Sequence, residues 1–131
     1  MDVVLDTSAY SHLRRGHPKV QDIVAKAATV LLPTIVLGEL EAAFQLGSRT
    51  KENVATLEEF LEEPFVSTLP VSERVARQYG ALFSELRRAG TPIPVNDVWI
   101  AATTIEAGAR LLTFDSDFER VKRLDRTILL A

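Results

Sequence analysis

The sequence predicts an α/β fold: a central parallel sheet of about five short strands, flanked by helices. Two observations predict it. Short apolar runs at residues 3–5, 30–32, 65–69, 110–113 and 127–130 read as buried strands. Stretches with helical periodicity separate them, and strands alternating with helices argue for a parallel sheet covered on both faces. Helices predominate by residue count.

The elements follow in order. Val3-Val4-Leu5 is a strand ending at Asp6, and Thr7 or Ser8 caps a helix that stops near Gly16. Pro18 suits the first turn of a second helix, where its missing N–H costs little. Val20, Ile23, Val24 and Ala27 give that helix one apolar face. After the second strand, Pro33-Thr34 opens a helix through about residue 46, closed by Gly47. Glu39 lies inside it amid Ile35, Val36, Leu40 and Ala43. A helix over about 51–62 turns Val54, Leu57, Phe60 and Leu61 inward and ends at Pro64. Beyond the third strand, Ser72 begins a long helix with Val75, Tyr79, Leu82, Phe83 and Leu86 on one stripe, ending before Gly90. Residues 91–95 carry two prolines and are not regular helix. Asn96 caps a helix over about 97–107, with Gly108 past its end. Ser116 and Glu119 have capping-box spacing before a short helix that leads to the last strand. No repeat, low-complexity tract or linker intervenes, so residues 1–131 read as one domain.

Composition narrows the chemistry. The chain has no cysteine, which excludes disulfides, thiolate metal sites and cysteine nucleophiles. His12 and His17 lack the spacing of a helical histidine metal pair and read as surface residues. No stretch approaches the roughly 20 apolar residues that span a membrane, and the acidic start is unlike a signal peptide. The expected location is the cytoplasm. The net charge of -3 does not advertise nucleic acid. A protein of this charge that handles RNA does so through a local basic rim and a bound metal.

The acids stand out. Asp6 ends the first strand, Asp115 follows the fourth, and Asp97 starts the helix after the proline-rich loop. In open parallel sheets ligands gather beyond the carboxyl ends of strands, so these three distant acids converge on one sheet edge. Glu39 is the fourth, on the apolar side of its helix, where an unpaired carboxylate is costly to bury. Each acid alone has a structural use, as a cap, a turn former or a first-turn charge. Together they repel by roughly 3 kcal/mol per pair at ~5 Å and an effective dielectric near 20. A hard divalent cation is what such a set suits.

Four segments carry a resemblance. Val4-Leu5-Asp6-Thr7-Ser8, Gly38-Glu39-Leu40, Asn96-Asp97-Val98-Trp99-Ile100-Ala101-Ala102 and Leu112-Thr113-Phe114-Asp115-Ser116-Asp117-Phe118, in that order, resemble the PIN-domain ribonucleases, above all the VapC toxins of type II toxin–antitoxin systems. The resemblance implies a PIN-like three-layer fold and an endoribonuclease dependent on Mg²⁺ or Mn²⁺. By position Asp6, Glu39, Asp97 and Asp115 match the acidic quartet, and Asp117 an additional acid. Thr7 or Ser8, Asn96 and Thr113 fall where small polar residues support the acids. Either Asp115 or Asp117 could be the fourth ligand; Asp115, leaving the strand directly, is preferred. The resemblance also implies a homodimer, a VapB-type antitoxin partner forming a toxin–antitoxin hetero-oligomer, and products with 5′-phosphate and 3′-hydroxyl ends.

The expected reaction is hydrolysis of an RNA phosphodiester by metal-activated water. Asp6 and Asp97 are the first choices for direct ligands, with Asp115 direct or through water; Glu39 holds a metal water or acts as base. Candidate phosphate contacts are Arg14, Arg15, Arg49 and Lys51, with Arg87, Arg88 and Arg120 beside them. Tyr10 and Trp99 are candidates for stacking on a base, though a tryptophan on such a helix is more often a core or interface residue. A haloacid-dehalogenase-type phosphatase would want a second aspartate where Ser8 stands. A degenerate PIN-like module that only binds RNA or protein, and a metal-dependent nuclease acting on structured DNA, are the competing functions.

Overall fold

A computed structural model describes residues 1–131. Five parallel strands form one sheet: β1 (Asp2–Leu5), β2 (Thr29–Pro33), β3 (Val66–Leu69), β4 (Arg110–Thr113) and β5 (Arg126–Ile128), in the spatial order β3-β2-β1-β4-β5. The helices are α1 (Thr7–Arg14), α2 (Pro18–Lys26), α3 (Thr34–Leu46), α4 (Thr50–Glu62), α5 (Glu73–Arg88) and α6 (Val95–Ala107), with a short 3₁₀ helix at Ser116–Arg120. None is long and apolar enough to cross a membrane.

The strand order explains where a site must form. From β1 the chain winds outward through β2 and β3, then returns to place β4 on the other side of β1. The direction of winding therefore reverses between β1 and β4, where a crevice opens at the carboxyl ends of an α/β sheet. Val4 and Leu5 pair with Leu111 and Leu112 across this junction, and all four are buried because helices cover both faces.

The core joins sheet and helices in one cluster, including Val20 of α2, Val36 and Leu40 of α3, Leu57 and Phe60 of α4, and Leu82 and Leu86 of α5. Helix α6 is the most enclosed, burying Val98, Ile100, Ala101, Ala102, Thr103 and Thr104. Its two buried threonines donate back to the carbonyls of Trp99 and Ile100, both at 2.8 Å, so neither hydroxyl is left unpaired. Gly108 ends α6 at φ 64°, a left-handed conformation that glycine adopts without a Cβ clash.

Four boundaries differ from the sequence reading. Asp6, rather than Thr7 or Ser8, caps α1: Asp6 Oδ1 accepts from Ala9 N at 2.8 Å. Helix α6 begins at Val95, so Asn96 lies in its first turn; Pro94 takes the preceding position, and its carbonyl accepts from Asp97 and Val98 N–H. Asp115 rather than Ser116 caps the 3₁₀ helix, its Oδ1 accepting from Asp117 N at 2.9 Å. Strand β5 starts and stops earlier than 127–130, because Ile128 pairs with Thr113, the last residue of β4.

Candidate active site

The carboxyl end of β1 delivers Asp6, which is buried at 5% exposure. Three donors hold it. Ala9 N–H and the Ser8 hydroxyl bond Oδ1 at 2.8 and 2.7 Å, and the Thr113 hydroxyl bonds Oδ2. These three occupy three of the roughly four acceptor positions of a carboxylate. Burial raises the Asp6 pKa, opposed by the Thr113, Ala9 and Ser8 hydrogen bonds, with the negative charge of Asp115 adding to the rise.

Thr113 and Ser8 link β4 to the same point. The Ser8 hydroxyl also accepts from Phe114 N at 3.0 Å, and the Thr113 hydroxyl from Asp115 N at 3.0 Å. The two hydroxyls thus fix both the Asp6 carboxylate and the backbone that leaves β4 toward Asp115.

Asp97, Asp115 and Asp117 come together at this edge. One carboxylate oxygen from each lies within 4.8 Å of those of the other two. On Mg²⁺ neighbouring oxygens would stand about 3 Å apart and opposite ones about 4.2 Å, so this set would draw inward to hold an ion. Three carboxylates are also the donor type that hard divalent cations select. Asp97 registers the crowding. Its pKa is pushed up to about 7, first by burial and then by the charges of Asp115, Glu39, Asp6 and Asp117. The grouping includes both candidates for the fourth ligand, Asp115 and Asp117, while Asp6 lies outside it, held by its own donors.

Glu39 is half-buried rather than enclosed in the apolar face of α3. Two side chains orient it: the Thr7 hydroxyl donates to Oε1 at 2.7 Å, and Asn96 Nδ2 to Oε2 at 3.3 Å. Asn96 therefore ties Glu39 to the helix that carries Asp97.

The proposed rim is less convergent. Arg14 and Arg15 lie at the far end of α1, about 12 Å along the axis from Asp6. The Arg14 guanidinium rests over the rings of Tyr10 and Phe60, 5.4 and 5.3 Å from their centroids. Arg49 pairs with Glu52 at 2.8 Å, and Lys51 is exposed in the first turn of α4. Tyr10 is buried at 2% and packs edge-on against Phe60, so it is not free to stack on a base. Trp99 already stacks on Tyr79, with centroids 3.9 Å apart, so its ring serves packing.

Two features escaped the sequence reading. His12 and His17 are not free surface residues: His12 stacks on Phe114 at 3.8 Å, and His17 meets the same ring edge-on at 5.1 Å. Arg120 pairs with Asp117, its Nη1 3.7 Å from Oδ1. An aromatic residue directly before Asp115 and an arginine three residues after Asp117 were the available signals.

Comparison with known proteins identifies the family and the fold. The family model of the PIN domain matches residues 3–124. Ribonuclease VapC1 of Haemophilus influenzae strain R2866 is 32% identical to the chain over 133 aligned positions, covering 95% of each. Among solved structures, VapBC-1 from nontypeable Haemophilus influenzae superposes with a TM-score of 0.87 at 25% identity, covering 98% of each chain. VapBC-5 from Mycobacterium tuberculosis, described as a member of the VapBC family of toxin–antitoxin systems, gives 0.76 at 25% identity, covering 99% of this chain and 98% of that one.

Proposed function

The chain belongs to the PIN domain family, and from that premise we propose that it is a ribonuclease toxin of the VapC type, an endonuclease that uses Mg²⁺ or Mn²⁺ to hydrolyse RNA phosphodiester bonds. The observation that carries the metal-dependent chemistry is the convergence of Asp97, Asp115 and Asp117 within 4.8 Å beside the anchored Asp6. Four or five acids at one sheet edge are a standing repulsion that a binding-only module has no reason to maintain.

Asp97, Asp115 and Asp117 would hold the ion, and Asp6 could add the lone pair that Ala9, Ser8 and Thr113 leave open. The ion, when bound, lowers the pKa of a water and offsets charge growing on the phosphoryl oxygens. Thr113 and Ser8 keep Asp6 from rotating and set the direction of the chain into Asp115. Thr7 and Asn96 aim Glu39, which accepts a proton from the attacking water or holds that water in place. Burial and the neighbouring acids raise the Asp97 pKa and favour its protonated form, so holding an ion there would displace that proton. No histidine is required.

The VapBC relatives support a VapB-type antitoxin as partner; a homodimer in the cytoplasm is what the family resemblance implies. The test is incubation of the pure protein with single-stranded and structured RNA, and with DNA, in Mg²⁺, Mn²⁺ or EDTA. Cleavage of RNA that requires the metal is the expected result. Cleavage that persists in EDTA, or that is intact in Asp97→Asn, would overturn the proposal; preference for DNA would reassign the substrate.

A further inference from the structure

Of the five acids at the site, Asp117 alone forms an ion pair, and its partner is Arg120. The same Nη1 that lies 3.7 Å from Asp117 Oδ1 donates to the Pro92 carbonyl at 3.0 Å. The guanidinium therefore bridges the 3₁₀ helix, which carries Asp117, and the loop leading into α6, which carries Asp97. Its Nε and Nη2 make no hydrogen bond within the chain, and the side chain is 48% exposed.

This placement fits an electrostatic need. One divalent ion offsets two charges of a five-carboxylate cluster, leaving an excess that repels an incoming phosphodiester. A guanidinium already held at the mouth loses little freedom on binding and offers a two-pronged donor suited to phosphate. Arg14 covers the rings of Tyr10 and Phe60, and Arg49 pairs with Glu52 at the start of α4, so neither is tied to the elements that carry Asp97 and Asp117.

We propose that Arg120 grips an RNA phosphate adjacent to the scissile one and so sets the affinity for substrate; this deepens the nuclease reading and rests on it. The experiment measures cleavage of a short fluorescein-labelled single-stranded RNA in Mn²⁺ over a series of KCl concentrations. Wild type, Arg120→Ala, Arg120→Lys and Arg77→Ala are compared. Arg77 is a charge control, exposed on α5 and paired only with Glu73. Arg120→Ala is expected to raise KM about tenfold with kcat within about twofold, the scale of one charge-assisted contact. The plot of log(kcat/KM) against log[KCl] should become shallower by about 0.7, the loss of one single-strand phosphate contact. Arg120→Lys should recover part of the KM. Each variant's melting temperature and Mn²⁺ half-saturation are read alongside. Arg120→Ala, which loses the Pro92 contact, should melt slightly lower. Loss of the cation beside Asp117 should leave Mn²⁺ half-saturation unchanged or lower it, so a raised RNA KM at saturating Mn²⁺ is not a metal defect.

Unchanged KM and salt slope in Arg120→Ala would overturn the proposal, as would an equal KM shift in Arg77→Ala. A defect confined to Mn²⁺ half-saturation would also overturn it, making Arg120 a positioning residue for Asp117. RNA left intact by wild type defeats the nuclease reading itself, an outcome distinct from cleavage that ignores Arg120.

Discussion

Replacing Asp97 by asparagine keeps the shape of the side chain and removes its charge. In metal-free protein this should stabilise the fold. A full charge 4.8 Å from another costs about 3.5 kcal/mol at an effective dielectric of 20, and Asp97 has two such neighbours, Asp115 and Asp117. All three are partly open to water, and salt screens them further, so a net gain of about 1–2 kcal/mol is expected. For a domain of this size that is a rise in Tm of about 4–8 °C. The assay is thermal unfolding in EDTA at pH 8, above the Asp97 pKa of about 7, where the wild-type carboxylate is ionised. Well below that value the wild-type carboxylate carries its proton and the difference should shrink. Saturating Mn²⁺ should invert the order, raising the wild-type Tm and leaving Asp97→Asn nearly unmoved. RNA cleavage should fall by more than about a hundredfold. An Asp97→Asn protein that melts below wild type in EDTA at pH 8 would refute the view that these acids repel one another when no ion is bound.

The pH dependence follows with its sign. The Asp97 pKa is raised from 3.8 to about 7, so the folded protein binds this proton more tightly than the unfolded chain. Asp97 therefore makes metal-free stability decline as pH rises from near 4 through 7 and then level off, a trend that titration of Tm in EDTA should show and Asp97→Asn should lack. Metal affinity should run the other way, falling by up to about tenfold per pH unit below 7 as the proton competes, measured by Mn²⁺ titration calorimetry. Thr113→Val keeps the buried volume but removes the hydroxyl from Asp6 and from Asp115 N–H. It should cost about 1–3 kcal/mol in urea unfolding and lower kcat about 10–100-fold. Thr7→Ala and Asn96→Ala each free one oxygen of Glu39; each should reduce kcat about tenfold with RNA KM unchanged, and together no more than Glu39→Gln alone, since all three act through one carboxylate.

Much of the fold was legible because its signals are local. The apolar run at Val3–Leu5, the glycine after α6 and the proline at the start of α2 each act within a few residues. The acids were legible through their positions relative to those elements. The caps were read less well. Asp6, Thr7 and Ser8 are all chemically able to cap α1, and the choice fell to Asp6 as the residue still in extended conformation when the helix begins. Phe114 and the two histidines show the limit more sharply, since their contact joins segments about a hundred residues apart, and no local pattern records it.

The sequence by itself determined the types: five short parallel strands, helices between them, and carboxylates at strand ends and a helix start, because backbone preference and apolar period act over short stretches of chain. Only the tertiary structure decided which acids stand together. The reversal of winding between β1 and β4 brought Asp6 beside Thr113 and let Asp97, Asp115 and Asp117 share one edge. It also held Arg14 and Arg15 away from that edge by the length of α1 and left Arg120 there instead. Distances between residues far apart in sequence depend on how all the elements pack at once, and that is information no single segment contains.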